Sequence, residues 1–321
     1  MSPPPPPLGR SRRRGSRSDQ HFDPALDDVE LAGVRDQLAQ GRWSEARTLL
    51  AATGDDWDRR GHRAVVLAQA SGAVAWTRDW LVVEPRSSDA ATLFACANVI
   101  AALRGKEPEY RARDTCREAI RRAPADPTPW LGLLLLARTL GTEEETMQLF
   151  DEVRTRHPEH HHAHHLMVAR LAERHAEVGQ DPLHEVYDFA SWAAEQAPAD
   201  SPLAVLPVVA HAERYRVLAA SGREPGDPAE SPHWRSRRAH QVLKTAFDWW
   251  LEWGYEEQAH PRNRVDLNFL AHAQFYEGRV AEAAALFNRI GEHNTPAPWS
   301  YPDRDPHKAF LAARSAALGS A

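Results

Sequence analysis

Six of the chain's 17 histidines fall within nine residues: His157, His160, His161, His162, His164 and His165. Imidazole ligates zinc and titrates near neutral pH, so such a run points to metal binding or to proton-dependent association. On a helix starting near Glu159, His160/His164 and His161/His165 form two i, i+4 pairs, each on one face. That spacing can bring two ring nitrogens to one ion. His161 and His165 are the candidate metal ligands, zinc is the one cofactor they suggest, and a third ligand would come from Asp151, Glu152, His157 or a facing helix. The H-E-x-x-H motif of zinc hydrolases is absent. Core packing at a helix junction is the competing role for these rings. Protonating all 17 histidines would carry the formal charge from −6 to +11, so the chain's charge is sensitive to mild acid.

A second constellation runs from Trp234-Arg235-Ser236-Arg237-Arg238 into Phe247-Asp248-Trp249-Trp250-Leu251-Glu252-Trp253. Tryptophan, tyrosine and arginine dominate binding hot spots. Leu243, Phe247, Trp250 and Leu251 share one helical face, with Trp249 and Trp253 on a neighbouring one. The pattern fits a helix packed on two sides or an aromatic groove. Trp249, Trp253, Arg235, Arg238 and Trp299 are the candidate partner-binding residues, the rings as anchors and the arginines fixing an acidic group. In Asp55-Asp56-Trp57-Asp58-Arg59-Arg60, one aspartate reads as a helix cap and the other charges as locally paired or solvated. Cys96 and Cys116 read as small buried hydrophobes on two paired helices.

These residues need helices to position them. Apolar residues recur at helical spacing, and almost no segment alternates with period two, so the fold class is all-α. The periodicity predicts helices over Leu31–Ala52, Arg63–Ala70, Thr92–Leu103, Arg111–Arg122, Thr128–Leu140 and Glu143–Arg156. Further on it predicts His161–Glu177, Leu183–Gln196, Pro202–Ala220, Trp234–Trp253, Val265–Glu277, Val280–Ile290 and a last helix over Pro306–Leu318.

Three segments fit G-x-x-x-E-[AT]-x-x-L-[LF], starting at Gly41, Gly141 and Gly278. The glycine serves a tight turn, Ala46, Thr146 or Ala283 lets a neighbouring helix approach, and the final apolar pair supplies a contact stripe. Pro85, Pro124, Pro158 and Pro198 close successive units 39, 34 and 40 residues apart. Ala123-Pro124-Ala125-Asp126 and Ala197-Pro198-Ala199-Asp200 nearly repeat each other, with Asp126 and Asp200 as expected caps.

With these features the chain resembles the tetratricopeptide-repeat family, whose motif runs W-x₂-L-G-x₂-Y, then A-x₃-F, then P. Trp130, Leu133, Phe150 and Pro158 stand at the family spacings, with Leu134, Ala137 and Thr146 as departures. Leu267, Leu270, Ala271, Gln274, Gly278, Ala283 and Phe287 repeat the pattern. The resemblance covers Pro127–Pro158 and Asp266–Thr295 and implies an α-solenoid of antiparallel helix pairs with a concave binding surface. The carboxylate-gripping set of one subclass is not assembled, Asn98 and Asn268 being isolated.

The expected organisation is a Pro/Arg-rich disordered tail over 1–22, a repeat array over 23–220, a linker over 221–233 and a C-terminal repeat unit with a capping helix over 234–321. The first 18 residues carry five arginines and no acid, so the rest of a chain of net charge −6 carries −11. No apolar run follows those arginines, and the longest, Leu131–Ala137, is far short of the roughly 20 residues of a membrane span. With two cysteines, a cytoplasmic protein is expected. Phosphate loops, nucleophile elbows, EF-hands and zinc-finger spacings are absent. The reading is a non-catalytic scaffold or adaptor for a protein or peptide partner, with no nucleic-acid partner expected. The alternatives are a metal-binding protein or enzyme built on the histidines, or a peptide-sensing intracellular regulator.

Overall fold

The computed structural model describes residues 22–174, 181–254 and 260–319, in which there are sixteen α-helices and no strand. The tail over 1–21 and the predicted helical residues 175–177 lie outside the described residues. No helix among the described residues is long and apolar enough to cross a membrane.

The chain divides into two compact units, the first over Pro24–Met167 and the second from Val168 onward. The first contains α1 (Val29–Ala39), α2 (Trp43–Thr53), α3 (Trp57–Leu67), α4 (Ala73–Val83), α5 (Ser88–Leu103), α6 (Glu109–Arg122), α7 (Thr128–Leu140), α8 (Glu143–Arg156) and the start of α9 (His161–Ala172). Neighbours pair as α1 with α2, α5 with α6 and α7 with α8, while α1, α3, α5 and α7 also pack in succession. The second unit contains α10 (Glu185–Gln196), α11 (Leu206–Ala220), α12 (Arg237–Trp253), α13 (Asn263–Glu277), α14 (Val280–Ile290), the short α15 (Pro296–Trp299) and α16 (Pro306–Gly319). Here α11 pairs with α12, α13 with α14, and α11 packs on α13. The polar segment Ser221–His233 lies within this unit and consists mostly of turns.

Helices alternate in character. On α5, α11 and α13, buried residues surround the axis. The even-numbered helices each bury a single stripe: Ala46, Leu49, Leu50 and Thr53 on α2, Thr146, Leu149, Phe150 and Val153 on α8, and Ala283, Leu286, Phe287 and Ile290 on α14. A stripe at i, i+3, i+4, i+7 is what one packed face of a helix requires. Its first member is small in all three helices, which permits close approach.

Gly41 and Gly278 adopt φ of +86° and +97°, the left-handed region that favours glycine. Gly141 does not: its φ is −89°. It is required for space instead, because a Cβ there would lie 2.8 Å from the Ala137 backbone.

The unit-closing prolines have a role beyond stopping helices. Arg122, the last residue of α6, donates Nη1–H to the Pro85 carbonyl at 2.8 Å. Arg156, the last of α8, donates Nε–H to the Pro124 carbonyl at 2.7 Å. The Trp249 indole N–H reaches the Ala199 carbonyl, one residue past Pro198, at 2.8 Å. Each contact staples one even-numbered helix to the turn ending the previous one.

Several predicted boundaries are corrected. Leu31–Ala52 is two helices broken at Gly41, α3 and α5 begin earlier than predicted, and α4 was not predicted at all. Asp126 does cap, accepting from the Thr128 amide at 2.8 Å, but Asp200 is exposed and Ser201 accepts from the Leu203 amide in its place.

Candidate functional site

The charged start of α3 does more than cap a helix. Asp56 accepts from the Arg59 amide at 3.1 Å and is the cap. Asp58 and Arg60, read from sequence as locally paired or solvated, are buried together with Arg63, and all three bind across the first unit. Arg60 donates to Asp126 at 2.9 Å and to Asp89 at 2.6 Å. Arg63 donates to Asp28 at 2.8 Å, Thr53 at 2.9 Å and Glu30 at 3.1 Å. Burial alone would raise the Asp28 carboxyl, but its hydrogen bonds and the Arg63 charge hold it below its ordinary value.

Asp58 reaches the histidine run. Its carboxylate accepts from the His161 backbone N–H at 2.9 Å and pairs with His157 Nε2 at 2.9 Å, and it stands 3.4 Å from His160 Nδ1. The hydrogen bond to Asp58 holds the His157 imidazole above its ordinary value, outweighing burial. No local signal in the sequence marks these charges, since their carboxylate and histidine-run partners lie between 29 and 103 positions away.

The two i, i+4 histidine pairs have different surroundings. His160 packs against Gly61, where a Cβ would come within 3.3 Å of its Nε2. His164 sits edge-on to Phe150 at 5.1 Å, and burial lowers its pKa to about 4. His161 and His165 lie ring against ring, with centroids 4.2 Å apart and planes tilted by 33°. Two imidazoles supply part of the ligand set of a zinc site, which needs at least one more protein ligand. Of the third ligands expected from sequence, the three near the run are engaged elsewhere: Glu152 with Arg156 at 2.7 Å, Asp151 with Arg154 at 3.8 Å and His157 with Asp58.

The five candidate partner residues separate into a surface and a core. Trp249 and Trp253 are half-buried on α12, while Arg238 in its first turn and Arg235 just before it are exposed. Arg238 lies over the Tyr187 ring at 4.9 Å and 3.7 Å from Asp188, and Arg235 donates to the Ala229 carbonyl at 3.3 Å. Trp299 is not part of that surface. It is fully buried, donates its indole N–H to Asn268 Oδ1 at 2.8 Å, and packs on His272, Phe287 and Phe310. The reason is that α15 lies on α13 and α16, which places the ring in the interior. The buried stripe of α12 is Ala239, Leu243, Ala246 and Trp250, whereas Leu251, expected on the same face as Leu243, is 51% exposed.

Cys96 and Cys116 are buried and form no disulfide, and burial pushes the Cys96 thiol up to about 12. That suits the inert packing role read from sequence.

One internal repeat lies outside the motifs described above. Ala210-His211-Ala212-Glu213-Arg214-Tyr215 on α11 matches Ala271-His272-Ala273-Gln274-Phe275-Tyr276 on α13 as A-H-A-[EQ]-x-Y. His211 and His272 are buried, and among the described residues neither ring nitrogen of either has a hydrogen-bond partner. They stand in a column of rings: Tyr187–His211 at 4.6 Å, His211–His233 at 5.3 Å, His233–Trp234 at 5.1 Å, Trp234–His272 at 5.2 Å and His272–Tyr276 at 4.7 Å. Burial drives the pKa of His211 well down, that of His233 to about 4 and that of His272 to about 3. Beside the column, the Glu213 carboxylate accepts from Arg216 at 2.8 Å and from the Tyr301 hydroxyl. Such an assembly holds neutral imidazoles in an apolar setting and orders two helices.

No protein-family model matches the chain, and no curated protein matches it in sequence.

Proposed function

We propose that the chain is a non-catalytic, tetratricopeptide-like repeat protein of the cytoplasm that holds a protein or peptide partner on its even-numbered helices. The observation that carries this reading is the alternation in burial. Helices α5, α11 and α13 are enclosed, so a partner has no open face on them. Helices α2, α6, α8, α12 and α14 bury one stripe and leave charged and apolar side chains on the rest of their circumference. The succession of helix pairs supports the repeat reading, and hot-spot residue types at Trp249, Trp253, Arg235 and Arg238 support α12 as a contact helix.

The test is quantitative capture with a photo-crosslinking residue placed at Leu251, in the wild type and in Trp249→Ala/Trp253→Ala. Crosslinks to a partner that fall about tenfold in the variant are expected, as for loss of a hot spot. Identical crosslinked partners in a folded variant would overturn the reading for α12. A second reading, metal binding, rests on the His161–His165 ring pair. A zinc titration by calorimetry tests it, since binding weaker than micromolar, or binding unchanged in His161→Ala/His165→Ala, would end it.

A further inference from the structure

We infer that the depression between α6 and α8 in the first unit is a docking groove for an acidic amphipathic helix of a partner protein. This rests on the binding reading above and names the partner's chemistry. The depression encloses about 380 Å³. Arg113, Arg117 and Arg121 line one side, recurring every fourth residue of α6. At the helical rise, successive arginines therefore stand about 6 Å apart along the groove. Trp130 and Leu133 of α7 and Leu149 of α8 supply an apolar floor and far wall.

The arginines differ in availability. Arg113 is held by Glu109 at 2.7 Å and by both oxygens of Glu145, and it closes one end of the groove. Arg117 and Arg121 have 60% and 67% of their side chains exposed, and their partners Asp114 and Glu118 lie three residues earlier on the same helix. Exposed pairs of that kind are worth about 0.2–1 kcal/mol, so an incoming carboxylate can replace either partner at little cost.

Charge and shape together select the occupant. Three arginines and one glutamate line a groove on a chain of net charge −6, so it attracts anionic segments against the protein's overall repulsion. Carboxylates at i, i+4 and i+8 of a helix repeat at the same interval as the arginines, and an apolar residue beside them meets Leu133 and Leu149. A nucleic acid fits less well. Its bases need an open aromatic face, and the Arg156 guanidinium lies 4.6 Å over the Trp130 ring.

The test uses the full chain and a fluorescein-labelled synthetic helix of about 20 residues, with Glu at every fourth position and Leu next to each. Controls are the same peptide with Lys for Glu, the same with Ser for Leu, and a single-stranded RNA of equal length, all read by anisotropy. The Glu/Leu peptide should bind best, and Arg117→Glu/Arg121→Glu should weaken it about tenfold while favouring the Lys peptide. Both positions are exposed, and circular dichroism checks that the variant is folded. Equal affinity of wild type and charge-reversal protein for the Glu/Leu peptide would overturn the proposal. So would equal binding of the Glu/Ser peptide, or tighter binding of RNA. Failure here alongside a Trp249/Trp253-dependent partner removes the groove and leaves the binding function standing, whereas failure of both removes the function as well.

Discussion

In the first unit, His157 is paired with the Asp58 carboxylate at 2.9 Å, whereas in the second unit His211 and His272 are surrounded by rings and, among the described residues, have no carboxylate partner. The first arrangement favours imidazolium and the second excludes it, so one residue type is pushed in opposite directions within one chain. The surrounding cores differ in the same sense. Around α3 the interior is ionic, with Arg60 and Arg63 each bound to two carboxylates. Around α11 and α13 aromatic rings and neutral histidines predominate, beside two buried ionic groups on α11, Glu173–Arg216–Glu213 and Arg214–Asp181. A buried charge is stable only when paired, and a buried imidazole without an acid partner is stable only when neutral.

That contrast can be broken by experiment, and the largest expected effect is in the ionic core. Asp126→Ala leaves Arg60 with one carboxylate fewer in a buried site, and the first unit should lose about 3–5 kcal/mol. Hydrogen exchange under urea, resolved by unit, would measure it. A loss below about 1 kcal/mol would mean that the pair is solvated in solution.

Acidification should act more strongly on the other unit, where burial lowers His211, His233 and His272, against His164 in the first unit. His211 and His272 have folded pKa values below the unfolded value of about 6.5, so both states are neutral at high pH and stability is full there. As the pH falls below 6.5 the unfolded chain takes up protons that the fold refuses. Stability drops until the folded values are reached, near 3 for His272. Between pH 7 and 5 the cost is about 2 kcal/mol for each histidine that stays neutral, hence about 4 kcal/mol for the two. The same exchange experiment should show the second unit opening more readily while the first is less affected. Parallel losses in both units would break the contrast. Next in size, His272→Phe should remove about 2 kcal/mol of that acid sensitivity, because phenylalanine keeps the ring packing and has no proton to bind.

For His157 the sign reverses. Its folded value is raised, so its pairing with Asp58 contributes fully below about pH 6.5 and is lost as the pH rises through the folded value. His157→Gln should cost about 1.5 kcal/mol in the first unit under mildly acidic conditions and less in alkali. Arg122→Met and Trp249→Phe each remove one helix-to-turn staple, one per unit. Each should cost about 1 kcal/mol in its own unit, independent of pH near neutrality.

Local features were legible in the sequence to the extent that they depend on residues within a turn or two. The turn at Gly41, the cap at Asp56 and the buried Ala46, Thr146 and Ala283 all follow from short-range periodicity. Helix α4 was not legible, because Ala73, Thr77 and Trp80 are its buried positions while Val82 and Val83 are exposed, so its apolar residues trace no single face. The two near-identical Ala-Pro-Ala-Asp turns diverge for a reason outside themselves. Asp126 meets Arg60 of α3 and is buried, whereas Asp200 is exposed beside a serine that takes the cap. Trp299 looked like an exposed anchor in an extended aromatic segment, and only the packing of α15 on α13 and α16 put it inside.

The all-α class, most helix sites, two of the left-handed turns and the small-residue stripes can be read from residue order, since they are set by backbone sterics and i, i+4 contacts. Tertiary structure alone decided which charges are buried, which histidines are neutral and which tryptophans are reachable. Those outcomes depend on dielectric environment and on partners up to 103 positions away, and no local pattern encodes either.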